Sequence, residues 1–367
     1  MIYLDSGATS LVKPAAVYKA VSQAMQTCGN PGRGGHRAAM AATQTVYNCR
    51  ETAAELFDCQ PEQVVFTSNC THGLNIAINS LVKPGSRVVV SGFEHNAVTR
   101  PLHSLQARLQ VAGRKLFDPE DTLWAFQREL DRGVDAAVFT HVSNVFGYIL
   151  PIQTMAAMCR QRGIPFIIDA AQSAGSIPIS LNALGADFIA MPGHKGLLGP
   201  QGTGILLCSR IPEPLMAGGT GSESIRQSMP DDLPERAEAG TLNVPGIAGL
   251  NAGLRYLKDV GVERLGGKEQ VAAQECADML RRLGFQVYSG PNQGGVVSFV
   301  PRCDGEEAAE KLAGQGIALR AGLHCAPLAH ESAGTLETGT VRVSFGIDAC
   351  PQQIQALRRG ILVCGIR

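Results

Sequence analysis

The stretch PFIIDAAQS, Pro165 to Ser173, decides how the rest of the chain is read. Phe166, Ile167 and Ile168 form a short continuous apolar run, the pattern of a strand buried on both faces of a parallel sheet. Just upstream, the helix-like TMAAMCRQRG ends at Gly163, with Pro165 close behind, so a helix is expected to lead into this strand. Asp169 then stands at the strand's carboxyl end, which in open α/β sheets is where ligands bind. A carboxylate so placed is poorly solvated and calls for a cationic partner. It could cap the following helix. It could equally face a pyridinium nitrogen, a known way of tuning pyridoxal phosphate (PLP).

Comparable runs flank this one. They are VVFTSN (Val64–Asn69), RVVVSGF (Arg87–Phe93), AAVFTHVSN (Ala136–Asn144), FIAMPGH (Phe188–His194) and GTGILLCS (Gly202–Ser209). Helix-like segments separate them, which predicts βαβ units and a mostly parallel buried sheet. After Gly240 the pattern changes: GIAGLNAGLRYLKDV leads into mixed helices and strand runs, GGVVSFV and TVRVSFG. The expected organisation is a large unit over 14–244 and a smaller α/β unit built from 1–13 and 245–367.

Composition narrows the function classes. The chain has 367 residues, 45% hydrophobic and 17% charged, enough apolar surface for two packed units. Lys+Arg and Asp+Glu both number 32, so nothing favours nucleic acid, which needs a basic face. No apolar run is long enough to span a bilayer. The opening residues, MIYLDSGATS, lack a basic region followed by an apolar stretch, so no secretory leader is expected. Eleven cysteines, an odd number without CxxC pairs, predict a reducing compartment, the cytoplasm, rather than a disulfide framework.

The polar residues at the strand ends should share one rim: Asn69-Cys70-Thr71, Glu94-His95, Asn144, Asp169 with Gln172, and His194-Lys195. Lys195, in MPGHKGLLGPQGTG, follows an apolar strand. Partial desolvation there lowers an amine's pKa and makes it nucleophilic. The flanking Gly193 and Gly196 would let backbone approach a planar ligand. Asp169 and Lys195, on neighbouring strands, together describe a Schiff-base site, and Gln172 could reach the ring's phenolic oxygen. SNCTHGLN stops a strand at Asn69 and starts a helix near Thr71, an anion site made of free N–H groups and a hydroxyl. His95 can stack on a ring or shuttle a proton. Arg342, in TVRVSFG, offers the fork that suits a substrate carboxylate. Alternatives are weak: GPQGTG is not GxGxxG, no GxSxG elbow occurs, and His324, Cys325 and His330 lack a second ligand pair for zinc. Cys49, Cys159, Cys208 and Cys364 sit in apolar contexts and are read as core.

With these residues assembled, the sequence resembles the class V aminotransferase-type PLP enzymes, and among them the cysteine desulfurases. The ordered motifs are YLDSGATS, GNPGRGGH, SNCTHGLN, EHNAV, HVSN, DAAQ, GHK, AGTLN, RAGLHC and VRVSFG. The short spacing from Cys325 to Arg342 is closest to the SUF-type and selenocysteine lyase group. The resemblance implies fold type I, an α/β architecture with a mostly parallel seven-stranded sheet and a smaller α/β C-terminal domain. It also implies a homodimer and a sulfur-acceptor partner, in a route such as iron–sulfur cluster assembly. Lys195 would hold PLP, Asp169 pair with its ring nitrogen, Gln172 contact the phenolic oxygen and His95 stack on the ring. Thr71 and His194 would hold the phosphate, with Thr241 reaching the partner's site. Asn144 would contact cofactor and substrate, Arg342 take the carboxylate of L-cysteine, and Cys325 take its sulfur as a persulfide. Arg320 and His324 are the local candidates for keeping Cys325 a thiolate. Two positions depart from the pattern: Pro192 where relatives carry a phosphate-binding serine, and Leu323 where many carry a second histidine. A selenocysteine lyase, or an aminotransferase or epimerase of the same family, is the nearest alternative. A silent scaffold for sulfur carriers is a more distant one.

Overall fold

Phe166–Asp169 is a central strand. In the computed structural model, which describes residues 1–32 and 34–366, seven strands form one sheet. In chain order they are β1 (Val64–Thr67), β2 (Arg87–Ser91), β3 (Arg108–Ala112), β4 (Ala136–Thr140), β5 (Phe166–Asp169), β6 (Phe188–Pro192) and β7 (Gly204–Cys208). Their spatial order is β1-β7-β6-β5-β4-β2-β3. Only β7 runs against its neighbours, so the sheet is mostly parallel, as expected. The carboxyl ends of the other six lie on one edge.

Alternation along the strands splits their side chains between two cores. Phe139, Ile168, Ile189 and Leu207 point to one face, under the helices Arg37–Phe57, Pro119–Asp131 and Ile152–Arg162. Val138, Ile167, Ala190 and Leu206 point to the other, under Cys70–Leu81 and Asn96–Ser104. Each of these side chains larger than alanine contributes about 1.5–3 kcal/mol by leaving water, so the central strands are fixed by burial on both sides. β3 is the strand that the apolar runs do not announce. It lies at the sheet's edge, its Arg108 is exposed, and polar Gln110 interrupts it, so it needs no continuous apolar sequence.

The C-terminal region forms a second, antiparallel sheet of β8 (Gln286–Tyr288), β9 (Val296–Val300), β10 (Arg320–Gly322) and β11 (Thr340–Ser344), in the order β10-β11-β9-β8. Its core holds Val297, Phe299, Val341 and Val343, joined by Leu4 from the N-terminus. Ile2–Tyr3 pairs in parallel with Ile317–Ala318, and Asp5 bridges to Ser344. That pairing carries Asp5 through Ser10 across to the edge of the large sheet, where Ser10 N–H donates to the His194 carbonyl at 3.0 Å. The helix Val244–Val260 buries Val244, Ile247, Leu250, Leu254 and Leu257 in the core of the large sheet. No helix among the described residues is long and apolar enough to cross a membrane.

Candidate active site

A cavity of about 370 Å³ lies along the carboxyl ends of β1, β2, β4, β5 and β6. Thr71, His95, Asn144, Asp169, Gln172, His194 and Lys195 line it from the large sheet, and Cys325 and Arg342 close it from the second. Thr241 is the one expected site residue elsewhere. It lines a separate cavity with Asn30, Pro31 and Gly219 to Gly221.

Asp169 ends β5 and is 2% exposed. Its Oδ1 accepts from the Ala171 N–H at 2.8 Å and from the Cys70 thiol at 3.4 Å. It has no ion pair among the described residues, although a buried carboxylate demands a cation. Lys195 is half-buried just past β6, beside Asp169's strand. Burial first, then the Arg342 guanidinium, lower its amine below the usual lysine value, while Asp169 opposes them. Asn69 caps the helix Cys70–Leu81 by accepting the His72 N–H at 2.9 Å, which leaves exposed Thr71 and the first amides facing the cavity. An unpaired carboxylate, a lowered amine and an open helix N-terminus fit a cationic heterocycle that carries an aldehyde and a phosphate.

His95 caps the next helix through Nδ1, which accepts the Ala97 N–H at 3.0 Å. The neutral ring therefore carries its proton on Nε2. Burial is the main cause that lowers its pKa. His194 shares Nδ1 with Thr9 Oγ1 at 3.0 Å, and burial with Lys195 and Lys13 pushes it down to about 4. Gln172 spends its amide N–H on the Gly7 carbonyl at 2.9 Å, leaving its oxygen free of that contact.

Cys325 is the only exposed cysteine of the eleven, all of which lie among the described residues. It and His324 have φ of 56° and 49°, two consecutive side-chain-bearing residues in the left-handed region. External bonds hold that costly turn. The Cys325 carbonyl accepts the Asn96 N–H at 2.7 Å, and the His324 carbonyl accepts Asn144 Nδ2 at 2.8 Å. Arg342, 2% exposed, donates from Nη1 to the Asn144 carbonyl at 3.0 Å and from Nη2 to Asp5 Oδ1 at 2.6 Å. Its Nε is buried without a partner among the described residues.

Several sequence expectations change here. Glu94 does not reach the rim. It is fully buried, and its carboxylate accepts from Ser91 and the Thr140 N–H. Gly193 and Gly196 serve protein packing: a Cβ on them would meet Thr203 Oγ1 at 2.1 Å and the Ala174 carbonyl at 2.2 Å. His324 turns inward, with Nε2 3.1 Å from the Thr340 carbonyl, and burial lowers its pKa to about 3. A ring neutral at pH 7 gives Cys325 no cationic neighbour. Cys364 is half-buried rather than core. Asp5 and Thr9, inside YLDSGATS, and Cys70, inside SNCTHGLN and expected on the rim, contact site residues, and their motifs announce no such partners.

Known proteins share this fold. The family model described as Aminotransferase class-V matches residues 2–357. A probable cysteine desulfurase of Methanothermobacter thermautotrophicus is 31% identical over 97% of this chain and 92% of its own length. One from Pyrococcus abyssi is 32% identical over 95% and 90%. The apo structure of a cysteine desulfurase from Thermococcus onnurineus NA1 superposes with a TM-score of 0.89, at 30% identity, over 99% of this chain and 95% of that one. A sheet whose strand ends gather Asp169 and Lys195, and a match that runs nearly end to end, agree on one conclusion: this chain belongs to the aminotransferase class-V family.

Proposed function

We propose that this protein is a PLP-dependent cysteine desulfurase, which converts L-cysteine to L-alanine and takes the sulfur on Cys325. The observation that carries this reading is the position of Cys325, the one exposed cysteine, in the cavity that holds Lys195, Asp169 and Arg342. Bound PLP would supply an electron sink for the bonds at the substrate's Cα. Lys195 would hold it and Asp169 would pair with its ring nitrogen. His95 would lie against the ring, with Gln172 at the phenolic oxygen. Thr71, His194 and the helix amides would take the phosphate. With Pro192 lacking a hydroxyl, the Cys70–Leu81 N-terminus carries more of that load.

Arg342 would bind the α-carboxylate through its fork, while Asn144 orients the substrate and braces the Cys325 turn. Lys195 Nζ, its pKa lowered by burial, would take the Cα proton. The Cys325 thiolate then attacks the substrate sulfur. The C–S bond breaks as the S–S bond forms, its electron pair passing to Cβ, which takes up the proton lost by Cys325. The proton taken by Lys195 goes back to Cα, and the products are alanine and a Cys325 persulfide. The balance needs no external oxidant. Delivery of that sulfur to an acceptor protein completes the cycle.

The same proposal divides the chain into 14–244 and 1–13 with 245–367, the helix Val244–Val260 lying on the seam. It also makes the enzyme a homodimer, in which Thr241, remote from its own Lys195 cavity, reaches the partner's phosphate. Eleven free cysteines suit a reducing cytoplasm. The test is alanine release from L-cysteine by the wild type and by Cys325→Ala. The variant should lose turnover while keeping the yellow colour of bound PLP, and undiminished turnover would sink the desulfurase reading.

A further inference from the structure

Asp5 has no part in the chemistry above, yet both of its carboxylate oxygens are engaged. Oδ1 lies 2.6 Å from Arg342 Nη2, and Oδ2 lies 3.5 Å from Arg320 Nε. The two arginines stand directly opposite one another in the β10–β11 register. Like charges so placed repel, and one carboxylate sits between them. Its backbone is held as well: Asp5 bridges to Ser344, and its carbonyl accepts the Tyr3 hydroxyl at 3.1 Å. The carboxylate therefore has little freedom to swing away.

Both arginines line the cavity beside Cys325. Arg342 is buried, with Nε unpartnered among the described residues, while the Arg320 side chain is 54% exposed. Two guanidinium charges less one carboxylate leave this wall with a single positive charge. One α-carboxylate satisfies it. A second acid on the substrate's side chain would find no uncompensated cation there.

We propose that Asp5 sets the charge specificity of the cavity: by cancelling one of two guanidinium charges, it selects amino acids with one acidic group and disfavours those with an anionic side chain. The proposal rests on the reading of Arg342 as the carboxylate fork. Asp5 is a positioning and specificity residue that acts through the two arginines.

The experiment is calorimetric titration of the PLP-loaded protein with L-alanine and with L-aspartate at low ionic strength, where charge contacts are least screened. Asp5→Asn raises the ratio of aspartate to alanine affinity by about tenfold, the scale of one partly exposed charge contact. Asp5→Asn combined with Arg320→Gln restores the single charge and returns the ratio towards the wild-type value. A purely structural role for Asp5 would weaken both ligands alike, so an unchanged ratio in Asp5→Asn overturns the proposal. Where Asp5→Asn does not fold, Arg320→Gln alone must lower the ratio, and an unchanged value there overturns it too. If the wild type releases no alanine from L-cysteine, the desulfurase reading falls, while the two-ligand ratio still decides the role of Asp5.

Discussion

Asn144 Nδ2 and the His324 carbonyl lie 2.8 Å apart, and the carbonyl of the same asparagine accepts Arg342 Nη1 at 3.0 Å. One residue thus ties the proposed carboxylate fork to the turn that presents Cys325. The left-handed φ values of His324 and Cys325 are costly, and these outside bonds sustain them together with the turn's own bond from the Ala326 N–H to the Leu323 carbonyl at 2.9 Å.

Asn144→Ala removes the buried donor that holds this turn, at a cost of about 1–3 kcal/mol. Turnover with L-cysteine should fall by about tenfold or more, and Cys325 alkylation by iodoacetamide should change in rate while PLP remains bound. A variant with wild-type alkylation and turnover would show that Asn144 does not brace the turn.

His324 is buried and neutral at pH 7, so it should be a packing residue. His324→Ala leaves the Thr340 carbonyl without its partner and is expected to lower stability by about 1–3 kcal/mol in urea unfolding. The pH dependence of Cys325 alkylation should stay where it is. A shift in that profile would return His324 to the role of thiolate activator.

Limited alkylation of the native protein should mark Cys325 first and spare Cys70. Burial and Asp169 push the Cys70 thiol well above its usual value, so it stays a protonated donor to that carboxylate. Peptide mass spectrometry reads the order of labelling. Early modification of Cys70 would contradict its closed position.

Stability should peak near neutral pH. Burial lowers His141, His194 and His330 from 6.5 to about 4, and His324 to about 3. As pH falls below 6.5 the unfolded chain takes up protons at these four sites that the fold refuses, so stability drops. Glu94 and Glu269 act the other way. Burial raises them from 4.5 to about 8 and about 7, so they are protonated in the fold but not in the unfolded chain. Their contribution is lost as pH rises through those values. About one pH unit below 6.5 the four histidines, mostly protonated when unfolded, outweigh the two glutamates by nearly two protons; the balance is close to even at 6.5, and unfolding releases protons above it. Urea midpoints from pH 4.5 to 8 should pass through a maximum, and a steady rise across the range would refute the assignment.

Much of this molecule was legible in local pattern. Continuous apolar runs bounded by turns specified β1, β2 and β4 to β7, because strands buried on both faces need no polar positions. Their ends placed Asp169, Lys195, His95 and Asn144 on one rim, since ligand-facing positions follow from strand direction alone. β3 escaped because an edge strand may carry Arg108 and Gln110. The tertiary structure alone decided the rest. It singled out Cys325 as the exposed cysteine of eleven, turned His324 inward, and buried Glu94 beneath the rim. It also joined Asp5 to Arg342 across 337 positions and Asn144 to His324 across 180. Local periodicity tells which residues leave water and in which direction they point. With 32 acidic and 32 basic residues in the chain, it cannot tell which carboxylate meets which guanidinium. That choice is made by the docking of the N-terminal segment onto the second sheet and of that sheet's Cys325 turn onto the rim, through contacts that no neighbouring residues encode.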